Sequence, residues 1–152
     1  LGYVHKSYPP IYASLCEKAG FTSSLLIRGV EGGVVPSLRQ KGLMISYYGG
    51  IEKNKVDIDP KLLGIDRELR SIGYPKKFEN LTNKALLAEY VVDLGCSALS
   101  GDNGMFYDGL VYCSSLILWH LGKSKTLPLA AEMVRTALDS GKALARLKTG
   151  SS

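Results

Sequence analysis

Ser24-Leu25-Leu26-Ile27-Arg28-Gly29-Val30-Glu31-Gly32-Gly33-Val34-Val35 is the stretch whose reading decides the fold. Its first four residues form a compact apolar run, and a short apolar run bounded by breakers reads as a buried strand. Arg28 ends the run, and Gly29, Gly32 and Gly33 make a glycine-rich loop directly after it. Upstream, Pro9-Pro10 sits where a helix can begin, and Ile11, Leu15 and Ala19 recur at helical spacing until Gly20 stops them. A helix feeding a buried strand that ends in a glycine loop is an α/β arrangement, and ligands of such folds bind at the carboxyl ends of strands.

Downstream, Leu43 to Tyr48 is β-prone, Gly49-Gly50 makes a turn, and Ile51 to Ile58 alternates well enough to pair back as a hairpin. Asp59-Pro60 closes this region. Residues 66–82 show little periodicity, with Gly73 and Pro75 as breakers and Lys76-Lys77 as exposed charges, and read as a connecting segment. Three helices follow. The first, about Asn83 to Leu99, and the second, about Asp108 to Leu121, are apolar nearly all round, which predicts deep burial. The third starts after Pro128 and runs to about Leu147. The expected architecture is one α/β domain over residues 1–152, a small mixed β-sheet packed by helices. One strand and a hairpin form a thin sheet for so much helix, so strands are expected from a missing N-terminal segment or from a partner chain. The opening Leu1-Gly2-Tyr3-Val4 reads as the middle of a longer protein.

With 45% hydrophobic and 22% charged residues, the 152-residue chain can bury a core, and disorder is not indicated. Cys16, Cys96 and Cys113 are an odd number at wide spacing, which argues against a disulfide framework or a paired-cysteine metal site and suggests reduced, buried thiols in a cytoplasm or plastid stroma. The apolar run Leu110 to Leu121 is too short to span a bilayer as a helix, so no membrane partner is expected.

Nineteen Lys and Arg against 14 Asp and Glu give a net charge of +5, which permits attraction to phosphate-bearing partners without establishing it. Two places could use that charge. Arg28, Gly29 and Gly32 could contact a phosphate, since arginine offers a planar, permanently charged fork; the alternative is a tight structural turn with a plain salt bridge. On the expected last helix, Arg135, Lys142 and Arg146 fall within roughly 40° of one another at about 100° per residue, a basic stripe that could meet nucleic acid or simply face water. His5 and His120 are isolated from any carboxylate or thiol arrangement with metal or triad spacing. His120 is expected to cap or pack at its helix end, and Asp102 and Asp108 to act as caps.

Four segments, in order and over most of the chain, resemble the C-terminal half of anthranilate phosphoribosyltransferases of the glycosyltransferase family 3 group. Leu1-Gly2-Tyr3-Val4-His5 is similar to the family's LGVYH, and Arg28 to Val35 stands where the family has HGxxGLDE. Ile58-Asp59-Pro60-Lys61-Leu62-Leu63-Gly64-Ile65 resembles IxPEDLGL, Leu99-Ser100-Gly101 with Asp108 resembles LxG followed by RDxVxLNAA, and Ser140-Gly141-Lys142-Ala143 with Leu147 resembles the closing SGKAxxxL. The resemblance implies the C-terminal portion of that α/β fold. It makes His5 a candidate ligand contact.

The departures concern the chemistry. The family's Asp-Glu pair, implied to help hold magnesium at the pyrophosphate of phosphoribosyl pyrophosphate, is matched by Val34 and Val35, which cannot ligate a metal. The motif's histidine is matched by Arg28 and the asparagine of LNAA by Cys113. The family's pyrophosphate loop and helical domain would lie upstream of Leu1. The pattern Arg28-Gly29-Val30-Glu31-Gly32 without the acidic pair looks more like a divergent subgroup associated with nucleic-acid binding in place of tryptophan synthesis. The expectations are therefore a divergent member without anthranilate activity that binds nucleic acid, an authentic phosphoribosyltransferase completed by the missing part, or a non-catalytic scaffold. No metal or cofactor is expected of this chain; magnesium and phosphoribosyl pyrophosphate enter only if the full-length protein keeps the family activity. Nucleic acid, the completing segment and a second copy in a homodimer are the expected partners.

Overall fold

A computed structural model describes residues 1–71 and 84–150. Helix α1 spans Tyr8–Lys18 and leads into strand β1, Ser23–Ile27. Strands β2, Gly42–Tyr48, and β3, Ile51–Ile58, form the expected hairpin, with Gly49 and Gly50 both at positive φ in its turn. The sheet order is β1-β2-β3, antiparallel throughout, with Ile27 opposite Met44 and Gly42 opposite Ile58. A parallel bridge joins Gly2 to Ile27, where Ile27 N–H donates to the Leu1 carbonyl and Tyr3 N–H to the Ile27 carbonyl at 2.9 and 3.1 Å. Among the described residues the sheet is mixed only at that edge.

Strand β2 is buried on both faces over Met44 to Tyr47. Alternate side chains enter two cores. Met44, with Ile27 and Ile58, joins Val111, Tyr112 and Leu116 in the larger one; Ile45, with Leu26 and Tyr47, packs on Tyr3 and Ala13 in the smaller. Residue alternation along the strand thus places α1 on one side of the sheet and the later helices on the other.

The helices α2, Lys84–Leu99, and α3, Met105–His120, lie near their expected positions, but their burial differs. Helix α3 lies in the core as predicted, with Val111, Tyr112 and Leu116 fully buried. Helix α2 does not: of its described side chains only Ala98 is buried, and Leu86, Val91 and Val92 are exposed. Apolar composition all round a helix licenses burial but does not supply the neighbours that produce it.

The expected single last helix is two, α4 over Leu127–Asp139 and α5 over Lys142–Gly150. Thr126 caps α4 by accepting from Leu129 N–H at 3.3 Å, and Pro128 occupies its first turn. Gly141, at φ 70°, ends it with its N–H on the Leu138 carbonyl. Ser140-Gly141 is a helix stop where continuation was expected. Ala130, Ala131, Val134 and Leu138 form the buried stripe of α4 that packs on α3.

Candidate functional site

The glycine loop is built by close approach. A Cβ on Gly2 would fall on the carbonyls of Gly32 and Gly33, and one on Gly29 would fall on the carbonyl of Gly33, so residues 2, 29 and 33 meet backbone to backbone. Gly32, at φ 80°, leaves no room for a Cβ beside Val4. Glu31 takes φ 52° and is the one non-glycine residue at positive φ among the described residues.

The loop's hydrogen bonds decide what it can do for a ligand. Arg28 N–H donates to Leu43, Val30 N–H to Val35, Gly32 N–H to Gly29 and Gly33 N–H to Val30. These four donors are engaged; the N–H groups of Gly29, Glu31 and Val34 are not among them. Gly32 N–H is thus held within a tight turn, while Gly29 accepts it and stands against the Gly33 carbonyl.

Those side chains surround an open cleft of about 1020 Å³ beside the loop. Arg28, Lys41 and Arg70 bring positive charge to it, Glu31 and Asp57 bring negative charge, and Ser37 and Gln40 offer neutral polar groups. Its floor is Tyr3, whose hydroxyl pKa burial raises above the usual value. Lys41 is partly engaged, 3.4 Å from the Asp59 carboxylate. Among the described residues no ion pair is formed by Arg28 or Arg70.

The cleft wall formed by Leu69, Arg70 and Ser71 comes from the stretch that reads in sequence as a plain connection. It is fixed at three points. Ile65 is buried in the larger core, Arg67 pairs through Nε with the Asp108 carboxylate, and the Arg70 carbonyl accepts Leu38 N–H at 2.9 Å. Asp108 is thus no helix cap: Gly104 precedes α3, and Asp108 is a buried first-turn residue partnered by Arg67. Asp102 accepts from Ser97 Oγ at 2.7 Å and closes the end of α2. Nothing in the spacing of Arg67 and Arg70 signals their roles, because both act across long sequence separations.

The remaining expected site residues lie elsewhere. His5 is exposed in the turn before α1, with Nδ1 2.7 Å from Ser7 Oγ and its ring against Tyr8; the cleft is lined by its neighbours Tyr3 and Val4. The basic stripe does not form one face. Arg135 is half-buried and donates to the Leu63 carbonyl, while Lys142 and Arg146 are exposed on α5, beyond the break at Gly141. Lys76 and Lys77, the charges of the expected connecting segment, lie outside the described residues.

The positions matching a magnesium-binding pair do not fit a metal. Val34 and Val35 are exposed aliphatic side chains, and among the described residues no three His, Cys, Asp or Glu stand where they could share an ion. Cys113, at the other altered position, donates from Sγ to the Val34 carbonyl at 3.5 Å; burial raises its thiol pKa to about 11, which keeps it protonated and unreactive. No helix among the described residues is long and apolar enough to cross a membrane.

These elements, in this order, define part of a phosphoribosyltransferase-type α/β fold. The crystal structure of anthranilate phosphoribosyltransferase from Thermus thermophilus superposes over 96% of this chain with a TM-score of 0.65 and 21% identity. The Saccharomyces cerevisiae anthranilate phosphoribosyltransferase in complex with 4-fluoroanthranilate superposes over 97% with a TM-score of 0.66 and 17% identity. The chain spans 40% of the length of each. No family model and no curated protein matches the sequence. At these identities the likeness establishes the fold.

Proposed function

We propose that this chain is the phosphate-facing portion of a divergent phosphoribosyltransferase-like protein, and that the cleft beside the glycine loop holds a phosphate-bearing ligand through Arg28. The observation that carries the reading is the placement of Arg28 and Arg70, both without an ion pair among the described residues, on one cleft at the carboxyl end of β1. Arginine can present two parallel donors to a phosphate, and the N–H groups of Arg28, Val30, Gly32 and Gly33 are already bonded to backbone carbonyls. With valines at 34 and 35, the charge on such a ligand is met by side-chain cations and not by a metal held at that pair.

Both superposed proteins are named for transfer of a phosphoribosyl group to anthranilate. That activity would require phosphoribosyl pyrophosphate, magnesium and the parts of the fold that this chain does not span. We propose instead that ligand binding persists here without anthranilate chemistry. Titrating the chain with inorganic pyrophosphate tests the binding. Release of pyrophosphate from phosphoribosyl pyrophosphate by the full-length protein, given magnesium and anthranilate, would restore the transferase reading.

Nucleic-acid binding is the second reading. Lys142 and Arg146, exposed one turn apart on α5, support it together with the net charge, and the loss of Arg135 to Leu63 weakens it. Affinity for an oligonucleotide that falls steeply with salt, and falls again in a Lys142→Ala/Arg146→Ala chain, is the result it requires.

A further inference from the structure

We infer that Arg67 and Asp108 are positioning residues for the cleft: their ion pair holds the strap of residues 65–71 in place and so fixes where Arg70 stands relative to Arg28. The inference rests on the proposed reading of the cleft as a phosphate site. Asp108 is 7% exposed and sits in the first turn of α3, where a carboxylate is favoured by the unbonded N–H groups of the helix start. Its partner reaches it from the strap, 41 positions away in sequence. A buried carboxylate stripped of the cation it faces is left uncompensated, so the pair ties the strap to the most deeply packed helix among the described residues.

From Arg67 the constraint passes to the cleft in two steps that the backbone makes explicit. Three residues on, the Arg70 carbonyl accepts Leu38 N–H, and Leu38 is itself 1% exposed in the larger core. The same strap supplies Leu69, Arg70 and Ser71 to one wall, while the Leu38 segment supplies Ser37 and Gln40 to another. The Leu38–Arg70 hydrogen bond is therefore a hinge between two cleft walls, and the Arg67–Asp108 pair anchors one leaf of it.

The Leu38 amide is a direct reporter, because its exchange with solvent is slow only while the strap is seated. In Arg67→Met and in Asp108→Asn, Leu38 exchange should accelerate about tenfold while Ile45, in the centre of the sheet, keeps its protection, the size expected for losing a charged hydrogen bond. The double substitution should add nothing further, since both single changes remove the same interaction. Pyrophosphate should bind both variants about fivefold or more weakly than the unsubstituted chain. Unchanged Leu38 exchange overturns the inference, and so does equal acceleration at Ile45, which would make the pair a general stabiliser. Unchanged pyrophosphate affinity in a variant whose Leu38 has loosened overturns the positioning role alone. Failure of the unsubstituted chain to bind pyrophosphate overturns the functional reading on which that role depends.

Discussion

Tyr48 and His120 are joined twice across the face of the sheet: the Tyr48 hydroxyl donates to the His120 carbonyl at 2.7 Å, and the two rings lie 5.2 Å apart. The imidazole is 8% exposed, its Nδ1 is 3.1 Å from Ser46 Oγ, and its Nε2 has no partner among the described residues. Strand β2 and the end of α3 are thereby docked through a neutral histidine. Burial holds its pKa below the ordinary 6.5. The folded protein therefore binds fewer protons than the unfolded chain as pH drops below 6.5, so this contribution to stability is present above 6.5 and is lost on acidification. Urea unfolding at about pH 7.5 and about pH 5.5 should show lower stability at the acid value, and His120→Gln should flatten most of that difference.

Gly29→Ala should destabilise the chain by about 2 kcal/mol or more, because the added methyl meets the Gly33 carbonyl, a backbone atom that cannot rotate away. Gly20→Ala meets open space and bears only the cost of its φ of 89°, about 1 kcal/mol. Thermal unfolding of the two variants separates close packing from backbone conformation.

Arg135→Met should lower stability by about 1–2 kcal/mol, since it leaves the Leu63 carbonyl without its donor, whereas Lys142→Met and Arg146→Met should fall within about 0.5 kcal/mol of the unsubstituted chain. Equal effects at all three positions, measured by denaturant unfolding, would restore the picture of one solvated stripe.

Val34→Asp with Val35→Glu should fold normally, because both positions are exposed, at 54% and 37%. It should gain magnesium binding that strengthens when pyrophosphate is present, as expected for carboxylates placed beside phosphate oxygens. Calorimetric titration with magnesium that shows no heat in either condition would mean that these positions do not face the cleft ligand.

Local signals carried much of the fold. The helix start at Pro9-Pro10, the glycine turn at Gly49-Gly50 and the β-prone run from Leu43 to Tyr48 are short-range features, and the structure keeps them within a residue or two. Where the sequence misled, the deciding interaction was distant or the punctuation was underweighted: Ser140-Gly141 ends a helix that apolar spacing alone would continue, and α2, although it lies against α3, α4 and α5, leaves Leu86, Val91 and Val92 exposed. The cleft was half legible. Arg28 and the glycines follow directly from the strand they terminate, but Lys41 stands just before the hairpin and Arg70 is held by Ile65, the Arg67–Asp108 pair and Leu38 N–H, and no spacing rule encodes contacts across such separations.

The most direct test is an amide NMR titration of the chain with inorganic pyrophosphate, repeated with Arg28→Met. Arg28 is exposed and forms no ion pair among the described residues, so the substitution should leave stability within about 0.5 kcal/mol. The account predicts saturable shifts confined to residues 28–33, 37–42 and 69–71 that weaken with salt and vanish in Arg28→Met. Shifts of equal size in the variant, or shifts that bypass the glycine loop, would contradict it.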